Sequence, residues 1–202
     1  MRIFTSIGLL FGLLILSSCN DYAAIQHPAP EEADQLQQIG AEASSMLLSN
    51  LQPALINAFA DGGATNAISV CADTAQELTG NISEKMGPGV RVTRTTYKTR
   101  NPANAPDTYE KAALDFYHRM AESSQSMPAE YMQKIIKGDS TFFRYYKPLK
   151  MGGLCLNCHG QKAQIDPQVI QTIEKHYPND EAVGYNDGEF RGLVSVTVER
   201  EL

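Results

Sequence analysis

Cys155 and Cys158 bracket Leu156-Asn157, and His159 and Gly160 follow at once. Two thiols at this spacing can each add to one vinyl group of a haem, and the next residue then lies under the iron as a neutral imidazole ligand. Cys-x-x-Cys-His therefore reads as the attachment point of one c-type haem, covalent through Cys155 and Cys158, with His159 as proximal ligand. Three other chemistries compete. A thioredoxin-like dithiol needs a strand-to-helix setting and a reactive first cysteine, whereas Gly152-Gly153 place this pair on a glycine-flanked loop. A structural zinc site needs two further ligands at matching spacing, and Cys19 and Cys71 do not form a second pair. A disulfide across two residues would be strained and leaves His159 without a role.

Haem attachment of this kind takes place outside the bacterial cytoplasm, and the N-terminus carries an export signal. Arg2 precedes an apolar run, Ile7–Leu16, and then Ser17-Ser18-Cys19. The run is too short to span a bilayer and has the form of a secretory leader. Leu16-Ser17-Ser18-Cys19 resembles a bacterial lipobox, which implies cleavage before Cys19 and lipid on its thiol. The alternative is an ordinary signal peptide with an incidental cysteine. The predicted organisation is a leader at 1–18, a lipid-anchored tether at 19–30 and one domain at 31–202. The membrane is then a partner through Cys19, and the location is the cell envelope, facing the periplasm or outside.

Composition agrees with one folded domain. The chain has 202 residues, 43% hydrophobic and 20% charged, enough to bury a core without disulfide staples. A net charge of −6 with no basic run argues against a nucleic-acid partner.

The elements that must position the motif follow from periodicity. From Glu31, apolar residues at Ala33, Leu36, Ile39, Ala43, Met46, Leu47 and Leu51 predict a long helix, with acidic residues in its first turn. Pro53 predicts a kink or division, and Asp61-Gly62-Gly63 a break. A second helix carries Ala64, Ala67, Ile68, Cys71, Ala75 and Leu78 on one face. Val90–Lys98 alternates as a strand. Arg100–Asp107 is irregular, and Asp107 can cap a helix from Thr108 to Ala121. A short helix is predicted near Ala129–Lys137, strands at Thr141–Met151 and Gly192–Glu199, and a helix at Pro167–Lys175. The order, long helices first and an antiparallel sheet later, makes the fold α+β.

A haem needs apolar walls, and Phe142, Phe143, Tyr145, Tyr146 and Leu154 lie just upstream of the motif. Its propionates need donors. Arg91, Arg94, Lys98, Arg100 and Asn101 form the nearest dense cluster, with Arg94 or Arg100 best suited to fork onto a carboxylate. The other reading of that cluster is a solvated strand face with some capping. For the sixth iron position the lone-pair residues are Cys71, His118, His176 and the methionines Met46, Met86, Met120, Met127, Met132 and Met151. The histidines read better as solvated and the methionines as packing. Cys71 stands on an apolar helix face with no disulfide partner, and burial alone also explains such a cysteine.

Taken together, the motifs resemble a known family. Cys71 on an alanine-rich helix, Arg94-Thr95-Thr96-Tyr97-Lys98-Thr99-Arg100-Asn101-Pro102 through Asp107, Glu110, the Cys155–Gly160 motif, Gly184-Tyr185 and Gly188 through Arg191-Gly192 are similar, in order and spacing, to the Tll-type haem domains. The resemblance runs from about Glu31 to Leu202. It implies a PAS-like antiparallel sheet with long N-terminal helices, one covalent haem c and an axial pair that falls on His159 and Cys71. Tyr109 departs from the family pattern, where tryptophan precedes the glutamate.

An iron held by imidazole and thiolate leaves no vacant position for oxygen chemistry, so the expected class is an electron carrier or redox or ligand sensor working with a redox partner protein that the residues do not identify. No output element follows the terminal strand within these residues, which leans toward electron transfer. A peroxidase-like enzyme would need an open iron face and a distal base. A binding module using a PAS-like pocket around a structural haem is the third class.

Overall fold

The computed structural model describes residues 23–123, 125–199 and 202. The leader and Cys19 lie outside the described residues. Within them, a five-stranded antiparallel sheet is covered by a long helix on one face and a shorter helix on the other.

The sheet consists of β1 (Ala23–Gln26), β2 (Val90–Thr95), β3 (Tyr131–Lys137), β4 (Ser140–Lys150) and β5 (Phe190–Val198). Its order is β1-β3-β4-β5-β2, with every neighbouring pair antiparallel. Strand β5 is buried along nearly its whole length. Alternation divides its side chains. Val194, Val196 and Val198 point to one face with Val90, Val92, Phe143 and Tyr145, and Leu193 points to the other with Tyr146.

Helix α1 (Pro30–Met86) covers the first face with Leu36, Ala43, Leu47 and Ile82, all buried. Its start is fixed by Glu32, whose Oε2 accepts the Ala29 N–H at 2.8 Å. The helix runs through Pro53 and breaks at Gly62-Gly63, where Gly63 has φ +67°. A proline in a helix loses one hydrogen bond, whereas a left-handed residue ends the helical path, and only glycine takes that conformation at little cost. The chain then turns back, and Asn66 Nδ2 donates to the Ala58 carbonyl (2.9 Å), tying the two arms together.

Gly40 sets how closely α1 approaches the sheet. A Cβ there would stand 2.1 Å from Cγ of Tyr145. Alanine is the better helix former by about 1 kcal/mol, but overpacking against a buried ring costs roughly 1–3 kcal/mol, so Gly40→Ala is expected to be net destabilising. Urea denaturation measures this directly, and a variant at least as stable as the parent would contradict the packing account.

Helix α2 (Thr108–Glu122) covers the second face with Ala113, Leu114 and Tyr117. Asp107 caps it as predicted, its Oδ1 accepting from the Tyr109 and Glu110 N–H groups at 2.9 Å. The same carboxylate receives both terminal guanidinium nitrogens of the buried Arg144.

Two expectations fail. Residues 131–137 form strand β3, not a helix, because Ile135 is buried in the sheet and the segment pairs on both sides, with β1 and with β4. Within the predicted tether, Ala23–Gln26 is a paired edge strand, so this part of the segment is attached to the domain. Two short helices, α3 (Leu156–His159) and α4 (Pro167–His176), lie beyond the end of β4.

Candidate functional site

The bend in α1 creates a cavity of about 250 Å³ between its two arms and the α3 segment. One arm presents Leu51, Leu55 and Phe59 at four-residue spacing, a single helical stripe. The returning arm presents Ala67, Ile68, Cys71 and Ala75. Facing them stand Leu154, Cys155, Cys158 and His159, and the polar side is closed by Arg94, Arg100, Asn101, Asn104, Tyr177 and Arg191.

Eight of the candidate site residues therefore meet in one cavity: Cys71, Arg94, Arg100, Asn101, Leu154, Cys155, Cys158 and His159. Phe143 and Tyr145 do not. They lie under α1 in the sheet core, Tyr145 against Gly40 and hydrogen-bonded through Oη to Glu130 (2.9 Å). Nearness in sequence to Cys155 placed them wrongly, because the alternation of β4 turns them toward the N-terminal arm of α1 and the cavity lies past the strand's end. Of the upstream hydrophobic residues, Leu154 alone lines the cavity. Among the sixth-position candidates Cys71 alone does so.

His159 is held by its neighbours. Its Nδ1 donates to the Ala182 carbonyl (2.6 Å), and its own carbonyl accepts the Tyr185 N–H (3.0 Å). With the proton on Nδ1, the lone pair of Nε2 is free for a metal. Burial, then the charges of Arg100 and Arg191, keep the ring well below the usual histidine range and therefore neutral. Gly160 is required behind it, since a Cβ there would lie 2.6 Å from the Leu156 carbonyl oxygen.

Cys71, Cys155 and Cys158 are free thiols. Burial pushes Cys158 up to about 11. Cys71 is raised as well, by burial that outweighs the nearby charges of Arg94 and Arg100.

Arg100 is engaged in the fold. Its Nε and Nη2 pair with the two carboxylate oxygens of Asp180 (3.0 and 3.1 Å), and Nη2 also donates to the Cys158 carbonyl (2.6 Å). Asn101 caps the following turn, accepting from the Ala103 N–H (2.9 Å). Arg94 differs. Its Nη2 makes one long bond to Gln76 (3.4 Å), and its buried Nε has no partner. An orphaned guanidinium nitrogen in a cavity wall fits an anionic group on whatever fills it. Arg191, which the sequence reading did not assign, is a second cation on the same wall.

A lone soft thiol, an imidazole with its second nitrogen anchored, two further thiols on a loop, apolar walls and an unpaired cationic donor together fit an iron macrocycle bearing carboxylates. They do not fit a small ion, and no cluster of three or more His, Cys, Asp or Glu residues able to hold a metal occurs among the described residues.

No curated protein matches the chain. The fold is similar to the crystal structure of the cyanobacterial heme-protein Tll0287, with a TM-score of 0.57 and 22% identity over 86% of this chain and 98% of that one. The Tll0287-like family profile matches residues 22–199, a span that takes in every strand and helix described above and every residue of the cavity, and the chain belongs to that family.

Proposed function

We propose that the chain is an exported, lipid-anchored monohaem c-type cytochrome acting in electron transfer or redox sensing, with its haem attached through Cys155 and Cys158 and its iron held between His159 and Cys71. One observation carries this reading: the Cys-x-x-Cys-His loop and the lone cysteine of α1 face one cavity whose wall holds an unpartnered buried nitrogen of Arg94. The structural relative is a heme-protein, which supports the same group here.

When bound, the haem supplies one-electron chemistry at its iron. The chain's residues then do the rest. Cys155 and Cys158 would hold the haem as thioethers, the sulfur of each bonding one vinyl carbon and its hydrogen going to the other. Ala182 holds the Nδ1 proton of His159 and so aims Nε2 at the metal. Cys71 would give up its proton on ligation, against burial that holds its thiol above the usual cysteine range and that the Arg94 and Arg100 charges only partly offset. A thiolate places negative charge at the iron and favours the oxidised state, which lowers the potential. Leu51, Leu55, Phe59 and Ile68 keep water out. Arg94, joined by Arg191, is the donor for a propionate, while Arg100 is committed to Asp180. The leader, the lipid on Cys19 and a separate redox partner protein in the cell envelope complete the proposal.

Absorption spectra of the chain exported with haem-maturation proteins test it. The expected ferric spectrum is low-spin with thiolate character and indifferent to carbon monoxide. Carbon monoxide binding after reduction would mark Cys71 as a ligand that leaves, the behaviour of a sensor, and its absence would mark a carrier. A high-spin ferric spectrum would contradict the axial pair and bring forward an enzyme with an open iron face.

A further inference from the structure

We infer that the edge of the sheet at β1 is the protein's membrane-contact surface, and that the cofactor cavity is held at the far corner, facing the aqueous phase. The inference deepens the reading above and rests on its lipid at Cys19.

Very little chain joins that lipid to the fold. Only Asn20, Asp21 and Tyr22 separate Cys19 from β1. All four residues of β1 pair with β3, beginning with Ala23 opposite Lys137. Four residue steps reach at most ~14 Å when fully extended. A lipid on Cys19 therefore pins one corner of the sheet close to the bilayer surface. The strand at that corner, Ala-Ala-Ile-Gln, is uncharged and exposed throughout, with Ile25 41% exposed. Beside it Lys137 and Asp139 are both exposed and offset one another. Such an edge can rest on headgroups without charge repulsion.

Strand register locates the cavity relative to this corner. Ala23 is level with Ser140 through β3, and Arg94, in the cavity wall, is level with Lys147 through β5. The two points lie seven residues apart along β4 and four strand spacings apart across the sheet. At ~3.4 Å per residue and ~4.8 Å per strand, the diagonal between them is about 30 Å. That is about twice the reach of the tether.

Only one way of lying down would bring both corners to the bilayer. Arg94 alternates in step with Val90 and Val92, so it points to the face that α1 covers, and the cavity lies on that side. The domain would have to lie on α1. That helix carries eight acidic residues and one basic residue, Lys85. Anionic lipid repels a surface of that charge. Lying on α2 would leave the sheet between the cavity and the bilayer. The short tether and the charge of α1 thus select one orientation, with the β1 edge down and the bend of α1 outward. A redox partner then reaches the cavity from the aqueous side.

Lysine acetylation by a water-soluble N-hydroxysuccinimide ester, read by peptide mass spectrometry, tests the orientation. The lipoprotein on vesicles of phosphatidylethanolamine and phosphatidylglycerol is compared with the same chain secreted without lipid from Asn20 onward. The reporters are Lys137, next to the anchor, and Lys162, just past the Cys155–His159 loop and 64% exposed. On vesicles Lys137 is expected to react roughly fivefold more slowly, shielded at the level of the headgroups, and Lys162 at its soluble rate. A flexible Gly-Ser insert of about twelve residues between Asp21 and Tyr22 adds roughly 20 Å of reach and should restore the reactivity of Lys137. Equal protection of Lys162, an unprotected Lys137 in the parent chain, or protection that survives the insert would overturn the orientation. The N-terminal peptide of the same digest shows whether Cys19 carries lipid. A bare Cys19 would overturn the anchor itself, an outcome distinct from a lipidated chain in another orientation. Neither readout requires haem.

Discussion

Cys71→Ser is expected to change the iron's environment more than any other single substitution in this protein. The side chain lies on the returning arm of α1, half-buried in the cavity wall opposite the Cys155–His159 loop, and it is the one lone-pair candidate outside the motif that reaches the cavity. Serine keeps the volume but is a far poorer ligand than thiolate. The low-spin thiolate spectrum should be replaced by a high-spin or mixed one, and ferric iron should then accept added imidazole. The potential should rise, because a negative ligand that stabilised the oxidised state is gone. Axial ligands and their surroundings move haem potentials over roughly 0.8 V, so a rise on the order of 100 mV is a modest expectation. The fold should survive, since the substitution is nearly isosteric at a half-buried position. Spectra and a potentiometric titration of parent and variant check this, and superimposable results would remove Cys71 from the iron.

Asp180→Ala is expected to be the most damaging substitution outside the ligands themselves. The carboxylate pairs both its oxygens with Arg100, and the side chains are only 7% and 11% exposed. Removing one partner of a buried pair strands the other charge and costs roughly 3–5 kcal/mol. For a chain of this size each kcal/mol lowers the melting temperature by roughly 2–4 °C, so a fall of about 10 °C is expected in calorimetry. The consequences extend to the site. Asp180 Oδ1 also accepts the Ala182 N–H (3.1 Å), and the Ala182 carbonyl holds His159 Nδ1. Arg100, released, no longer fixes the Cys158 carbonyl. Haem loading should therefore fall together with stability. Asp180→Asn, which keeps an acceptor for Ala182 and loses the charge, should fall between parent and alanine variant in melting temperature. A stable, fully loaded Asp180→Ala chain would contradict the clamp.

Sequence reasoning succeeded where contacts are local. The Asp107 cap is a contact between near neighbours, and the stripe of Leu36, Ala43 and Leu47 follows from one helical period. It failed where distance in sequence hides distance in space. Phe143 and Tyr145 were drawn to the motif by proximity, although their strand face belongs to another part of the core. The spacing of Leu51, Leu55 and Phe59 held the signal for the true apolar wall, an extension of the stripe already visible in α1. Residues 131–137 contain good helix formers, Met132, Gln133 and Lys134 among them, and became a strand because two neighbouring strands pair with them; tertiary pairing overrode propensity. The engagement of Arg100 by Asp180, and of the Thr96 hydroxyl and Lys98 carbonyl by Arg191, join segments far apart in the chain and left no local trace.

The central claim, a covalent haem on Cys155 and Cys158, is tested most directly by the intact mass of the denatured chain after co-expression with haem-maturation proteins. A mass increased by one haem over the bare polypeptide, with the colour staying on the chain through acid-acetone extraction, is the predicted result. A bare polypeptide mass, whether the protein was colourless or lost its colour to the solvent, would contradict it.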